Sequence, residues 1–391
     1  MIFQHYWPEQ FRATDIAENL VKEGHEVTVL CGLPNYPHGF VLDEYRHGRN
    51  RVQVRNGVKI LRVKEIGRRN NVLFRMLNYW SYPHYAKKYL KKHHLECDVV
   101  LTVETSPIMM CKPALFYKKR YKKKVLMYAM DLWPESLLAG GITNRSIVYK
   151  HYTKVSARIY SQCDKILVTT NEHIGYIKSL PGCQSLDIEC LPQYAESIFE
   201  EGDFESEDNG IIDLMFAGNV GKAQSVGTLV KAAAILKDDS RFRFHIVGGG
   251  SELENVIGLA NSLGLDNVVF YGQKPIEEMT AMYKLADAML VTLEDKPYAN
   301  MTVPGKVQSY MAAGKAIIGS VRGSCASLIH NNGLGYVCDP GDENALATLI
   351  KGLNYNDLVK TGSHSREVYS QSFCQNSFMS RLIHSLAILQ E

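Results

Sequence analysis

Short apolar runs alternate with helix-patterned segments along the chain, and this alternation limits the fold more than any other feature. Val99 to Val103, Val125 to Ala129, Ala288 to Val291 and Ala316 to Gly319 are nearly continuous apolar runs. Such runs suit parallel strands covered on both faces, because half-exposed strands alternate apolar with polar residues. Between the runs lie segments with apolar residues at helical spacing, such as Ile16, Ala17, Leu20 and Val21 within Ala13 to Glu23. A parallel strand pair needs a crossover, and a helix is its usual form. The chain is therefore expected to be α/β, built on doubly wound parallel sheets.

The series occurs twice. Strands are expected at Ile2 to Tyr6, Glu26 to Leu30, Lys59 to Val63, Val99 to Val103, Val125 to Ala129 and Ile166 to Thr169. A second set is expected at Asp213 to Ala217, Phe242 to Val247, Asn267 to Tyr271, Ala288 to Val291, Ala316 to Gly319 and Gly335 to Cys338. The stretch between them, EEGDFESEDNG at 200–210, is acidic and poor in apolar residues, as a linker or surface loop would be. With 391 residues there is material for two cores. Two Rossmann-like domains are expected, 1–195 and 196–367, with a last helix over Val368 to Leu389 in the segment 368–391.

Ligands of open α/β sheets bind at the carboxyl ends of the strands. At that edge of the second domain the sequence places Gly218-Asn219-Val220-Gly221-Lys222, Gly248-Gly249 and Gly272 to Ile276. It also places a polar loop with Thr302, then Pro304-Gly305-Lys306 at a helix start. Free N–H groups, the positive end of a helix dipole, a glycine and a lysine together suit a diphosphate. An ordinary strand-loop-helix unit with a Pro-Gly turn fits the same residues. In the first domain Asp131 directly follows a strand, so an acid stands at the same kind of edge.

Charge divides the chain. Residues 1–190 hold 29 Lys and Arg against 17 Asp and Glu, and residues 191–391 hold 15 against 24. A basic first half points to an anionic partner. The segment Val72 to His94 mixes Leu73, Phe74, Leu77, Tyr79 and Trp80 with Lys87, Lys88, Lys91 and Lys92. A second block runs Lys118-Lys119-Arg120-Tyr121-Lys122-Lys123-Lys124. An apolar-aromatic face beside cations resembles an interfacial membrane segment, and a buried helix with a solvated basic end fits the first block equally well. Trp80, Lys87, Lys88, Lys118, Lys119, Lys122 and Lys123 are the membrane-surface candidates. No nucleic-acid motif accompanies the charge. No run reaches the length of a membrane span, and Met1-Ile2-Phe3 reads as strand rather than leader. The nine cysteines form no C-x-x-C pair, which suggests neither zinc nor disulfides, and no Asp-x-Asp occurs. A cytoplasmic protein without a metal is expected.

The order of these motifs is similar to that of a known family. IVGGGSELENVIGLANSLGLDNVVFYGQKPIEEMTAMYKLADAMLVTL, the Gly-loop Ala217 to Lys222 and the run Tyr310-Met311-Ala312-Ala313-Gly314-Lys315 resemble the second domain of retaining GT-B glycosyltransferases of family 4. YWPEQFRATDIAENLVKEGHEVTVLCGLPNYPHG and MDLWPES resemble the first domain of a bacterial subgroup that builds capsules, exopolysaccharides and O-antigens. The resemblance covers nearly the whole chain. It implies two domains facing a cleft, a C-terminal helix crossing back to the first, and sugar transfer from a nucleotide donor without metal or cofactor. Gly218, Asn219, Gly221 and Lys222 would lie near the donor diphosphate, and Lys306 would neutralise the leaving phosphate. Gly248, Gly249, Lys274 and Ile276 would hold the nucleoside, with Thr302, Gly305 and Ser309 completing the donor site. Asp131 would serve the acceptor hydroxyl, with Glu9, Arg12 and Glu135 at the acceptor side of the cleft.

The implied partners are a UDP-sugar, a polyprenyl-diphosphate-linked sugar and an anionic membrane surface at the inner face of the cell membrane, with no nucleic acid. The pattern also departs from the family. Its two glutamates, eight residues apart, fall on Met301 and Ser309, and its loop Arg and Lys fall on Asn219 and Gln224. Two rivals share the fold: a UDP-sugar 2-epimerase, and a degenerate protein that binds a nucleotide or partner without turnover.

Overall fold

The computed structural model describes residues 1–69 and 71–390 and divides the chain into two compact units. The first comprises Met1–Leu191 with Met379–Glu391, the second Pro192–Phe378. The division falls a few residues before the expected boundary at 195, and residue 391 of the expected last segment lies outside the described residues.

The first unit holds two sheets. One joins β1 (Thr28–Cys31), β2 (Val52–Arg55) and β3 (Val58–Arg62) in the order β1-β3-β2, with β1 and β3 parallel and β2 antiparallel. The other is all parallel, β4 (Val99–Glu104), β5 (Lys124–Ala129), β6 (Lys165–Val168) and β7 (Ile188–Cys190) in sequence order. The expected first strand, Ile2 to Tyr6, reduces to single bridges from Ile2 to Leu30 and to Thr102, which tie β1 to β4. Backbone pairing continues irregularly, with the Gly32 amide donating to the Gln4 carbonyl at 2.8 Å, while the Gln4 and His5 side chains enter buried hydrogen bonds.

The second unit has one six-stranded parallel sheet, built from β8 (Ile212–Ala217), β9 (Phe242–Val247), β10 (Val268–Gly272), β11 (Ala288–Thr292), β12 (Ala316–Ser320) and β13 (Gly335–Cys338). Its order is β10-β9-β8-β11-β12-β13. The order reverses beside β8, and such a switch point opens a crevice at the carboxyl ends of the strands. Apolar strand faces explain the burial: β8, β11 and β12 are buried at every residue. One apolar cluster, with Leu214, Phe216, Phe244, Leu290 and Ile318, covers one face. Another, with Met215, Met289, Val307, Tyr310 and Ile317, covers the other.

Helices follow their apolar stripes. Arg12–Lys22 buries Ala13, Ile16, Ala17 and Leu20, and the chain leaves it through Gly24 at φ +89. Val72–Lys92 starts at Asn71, whose side chain accepts from the Phe74 amide, and runs unbroken through Pro83. The expected last helix, Val368 to Leu389, is two helices, Tyr355–Ser372 and Gln375–Ile388. The break at Phe373-Cys374 has no Gly or Pro to announce it. Most of the second of these helices, from Met379 onward, belongs to the first unit, where Arg381 donates to Glu189 at 2.8 Å and to the Cys190 carbonyl at 2.5 Å.

Candidate active site

In the second unit the loops after β8 and β9 lie backbone against backbone. The Gly218 amide donates to Val247 O, the Val220 amide to Gly249 O and the Gly248 amide to Gly272 O, each at 2.8 Å. This approach requires glycine at two positions. A Cβ on Gly248 (φ +145) would fall 1.8 Å from Gly218 O, and one on Gly250 (φ +154) 2.4 Å from Val220 O.

Lys306 opens the helix Lys306–Ala312, with Gly305 exposed before it. Its side chain turns back under the first Gly-loop, where Nζ lies 3.6 Å from the Phe216 ring centroid. A Cβ on Gly218 would meet Nζ at 2.9 Å, so Gly218 makes room for this ammonium. Nζ is buried and has no hydrogen-bond partner among the described residues. Burial pushes Lys306 down to about 7. A buried cation without a counter-charge is costly, and an anion at the loop would restore its full charge.

Tyr310, one turn beyond Lys306, fixes that helix. Its hydroxyl donates to Ala217 O and accepts from the Ala217 amide, both at 3.1 Å. The residues at i and i+4 therefore both reach the end of β8. Sequence reasoning missed Tyr310, although its position in the YMAAGK run four residues after Lys306 was the available signal. It also missed Glu196. Ser309, at a position where the resemblance leads one to expect an acid, donates to Glu196 Oε2 at 3.1 Å. A carboxylate is thus present through space from a segment far away in sequence.

The other donor-side candidates are distributed along this edge. Asn219 is exposed and donates to Gln224 Oε1 at 3.2 Å, and Lys222 is exposed at the start of a 3-10 turn. Gly221 is buried beside Asn219. Lys274 pairs with Glu278 at 2.9 Å, and Ile276 is exposed next to it. Thr302 closes a turn on Ala299 O.

The first unit places carboxyl groups at its own sheet edge. Glu104 ends β4, and Asp131 stands two residues past the end of β5, its neighbour in register. Glu104 is fully buried, and neither of its carboxyl oxygens has a hydrogen-bond partner among the described residues. Burial raises its pKa well above the carboxylate range, and the Asp131 charge adds to this. Burial also raises Asp131, opposed by a hydrogen bond from the Ser106 backbone. One of two close carboxyls therefore keeps its proton, and that is Glu104. Trp133 steadies the loop by donating from Nε1 to Ser106 Oγ at 2.9 Å.

Three first-unit candidates have partners within their own unit. Glu9 is buried and holds the loop after β1: Oε1 accepts from the Asn35 and Tyr36 amides at 2.7 and 2.6 Å, and Oε2 lies 3.0 Å from His5 Nδ1. Glu135 is buried with Tyr149 Oη on its Oε1. Each was a substrate-side candidate, and each serves its own loop, because a buried carboxylate must first find donors. Lys118 is half-buried, 2.7 Å from Asp164 Oδ2 and donating to Gln162 O at 2.7 Å, so it is no free surface cation. Arg12 lies beside Asp15 at 3.4 Å. Lys119 and Lys122 are exposed and Lys123 is half-buried. Trp80 is partly exposed with Lys112 Nζ over its ring at 4.1 Å, and burial lowers Lys87, with Lys91 adding to the effect. Among the described residues no group of three or more His, Cys, Asp or Glu is placed to hold a metal, and no helix is long and apolar enough to cross a membrane.

Comparison with known proteins fits this geometry. Residues 199–362 match the family model described as glycosyl transferases group 1. The probable glycosyltransferase WbjE of Pseudomonas aeruginosa is 28% identical over 290 residues, covering 71% of each chain. The putative colanic acid biosynthesis glycosyl transferase WcaI of Escherichia coli K12 is 21% identical over 320 residues, 77% of this chain and 76% of its own. The structure of Anabaena HepE in complex with UDP and glucose matches with a TM-score of 0.68 at 11% identity, over 98% of both chains. The fold is GT-B, and the chain is a glycosyltransferase. Its second unit carries the group 1 domain.

Proposed function

We propose that the protein is a retaining family 4 glycosyltransferase that moves a sugar from a UDP-sugar to a glycan on a polyprenyl diphosphate, at the inner face of the cell membrane. Its product would enter a bacterial surface polysaccharide. The names of WbjE and WcaI, and the UDP and glucose bound to HepE, support this reading. One observation carries it: the buried, unpartnered Lys306 ammonium against the Gly218 loop.

In this reaction the bond between the anomeric carbon and the diphosphate oxygen breaks, and its electron pair leaves with the nucleoside diphosphate. Lys306 and the loop amides stabilise that charge, in a place already shaped before reaction. The acceptor hydroxyl forms the new glycosidic bond, and its proton passes to Asp131, whose pKa is raised toward the working range of a general base. Ser309 with Glu196 serves the ribose hydroxyls, so the carboxylate missing from position 309 is replaced from another segment. No metal or cofactor has a role in this scheme.

A thermal-shift panel with UDP, GDP and CMP tests the donor assignment. A ligand specific for the folded state at about 100 times its Kd adds roughly 2.7 kcal/mol. UDP is expected to raise the melting temperature selectively, and less so in Lys306→Met. No shift with any nucleotide would sink the donor reading and favour the degenerate alternative.

A further inference from the structure

A cavity of about 330 Å³ in the first unit lies between the last turns of Val72–Lys92 and the β2–β3 hairpin. Arg51, Arg62, Lys64, Lys88, Lys92 and His93 line it, together with Tyr85 and Tyr89, and none of the lining residues is acidic. The nearest acid in sequence, Glu65, faces away: its carboxyl accepts from Gln4, Asn78 and the Leu33 amide.

Among the described residues neither arginine has an acidic partner, and the Arg62 guanidinium lies over the Tyr45 and Trp7 rings at 4.8 and 5.9 Å. Arg62 is 5% exposed, and its guanidinium donates only to neutral oxygens: Gln53 Oε1 at 2.6 Å, Trp7 O at 2.7 Å and Asn50 O at 3.3 Å. Its Nε is buried without a partner, as is Arg51 Nη1. Burial lowers Arg51, and the Arg62 charge lowers it further. Holding like charges together out of water is unfavourable unless an anion joins them. Guanidinium forks backed by mobile lysines match phosphate oxygens. The volume, roughly that of ten waters in the liquid, admits two phosphates and part of what they carry.

We infer that this cavity is a phosphate-binding site for a diphosphate borne on a lipid. The lipid follows from the same helix, whose first turns expose Leu73, Met76, Leu77 and Trp80. An apolar surface and a phosphate cradle on one helix suit a ligand with an apolar tail and an anionic head. Only the identity of that lipid as the acceptor rests on the proposed function. Binding of a diphosphate does not.

The test is calorimetric titration of inorganic diphosphate into the full chain saturated with UDP. Binding is expected in the wild type and at least about tenfold weaker in the double variant Arg51→Gln with Lys92→Gln, since charge-assisted hydrogen bonds are lost. The affinity for UDP should not change. Both residues are at least partly solvent-exposed, and Lys88→Gln alone, expected to act in the same direction, serves if the double variant does not fold. No binding under UDP, or equal binding by the variants, overturns the site. Vesicles separate the sources. If the variants lose neutral phosphatidylcholine vesicles carrying farnesyl diphosphate, the site serves the lipid-linked diphosphate. If they lose only phosphatidylglycerol vesicles, it serves the headgroups of the bilayer. Retention of both overturns it. Failure of glycosyl transfer with diphosphate binding intact would remove the acceptor reading and leave the site.

Discussion

The two sheet edges bring charge to a ligand by opposite means. In the second unit the Gly-loops offer backbone amides, and the group beneath them is a cation, Lys306, lowered by burial. At the sheet edge of the first unit the perturbed groups are carboxyls, Glu104 and Asp131, raised by burial. A buried lysine awaiting an anion suits a leaving diphosphate. A buried acid pair with one proton suits a hydroxyl that must give one up. The comparison teaches that the fold allots opposite charge work to its two halves, and it can be broken from either side.

The largest effect is expected at Lys306. Lys306→Met should lower kcat/KM by about 10²–10³-fold, the range for removing one preorganised charge-stabilising group. The apo variant should nonetheless be more stable at or below neutral pH. A lysine whose pKa falls on folding binds fewer protons than the unfolded chain between its two pKa values, so wild-type stability should rise from about pH 7 upward. The variant should lack that slope, as denaturant unfolding across pH would show. Equal activity with lowered stability would make Lys306 a structural residue.

Much of the donor edge was legible in the sequence because its determinants are local. Gly218, Gly248 and Gly250 stand within three residues of strand ends that apolar runs announce, and Lys306 follows its own Pro-Gly. The acceptor edge was legible only as Asp131 after a strand. Glu104 directly follows the expected strand Val99 to Val103 and was available by the same rule, but its coupling to Asp131 depends on strand register. Glu9, Glu135 and Lys118 looked like free charges because their partners lie in other segments: the loop amides of Asn35 and Tyr36, Tyr149 and Asp164. The helix break at Phe373-Cys374 was invisible because tertiary packing sets it, not a breaker residue.

The acid pair gives a second, smaller effect. Asp131→Asn should lower turnover about 10²-fold, the low end for a lost general base, and leave UDP affinity unchanged. Glu104→Gln keeps the shape and the neutral state, so activity near neutrality should survive while stability changes with pH. A carboxyl raised on folding contributes stability below its unfolded pKa and loses it as pH rises toward the folded value. The melting-temperature advantage of Glu104→Gln should therefore grow as pH rises above the ordinary glutamate value of about 4.3. An unpartnered buried polar group costs about 1–3 kcal/mol, and each kcal/mol moves Tm by roughly 2–4 °C in a domain of this size. A pH-independent difference would separate Glu104 from Asp131 and dissolve the pair.

The smallest effect tests where the comparison is least tidy. On the donor edge the carboxylate of Glu196 reaches Ser309 at 3.1 Å. If that pair receives ribose hydroxyls, Glu196→Gln should weaken UDP by about two- to tenfold, the worth of one ordinary hydrogen bond, and leave the free base uracil and inorganic diphosphate unaffected. Ser309→Ala should act in the same direction, and the double variant should cost less than the sum, because the two side chains share one interaction. A deoxyribose nucleotide should bind both proteins alike. Additive losses, or a loss shared by diphosphate, would instead mean that Glu196 merely steadies the helix bearing Lys306. The donor edge would then be wholly backbone and cation, and the contrast with the acidic edge of the first unit would stand without exception.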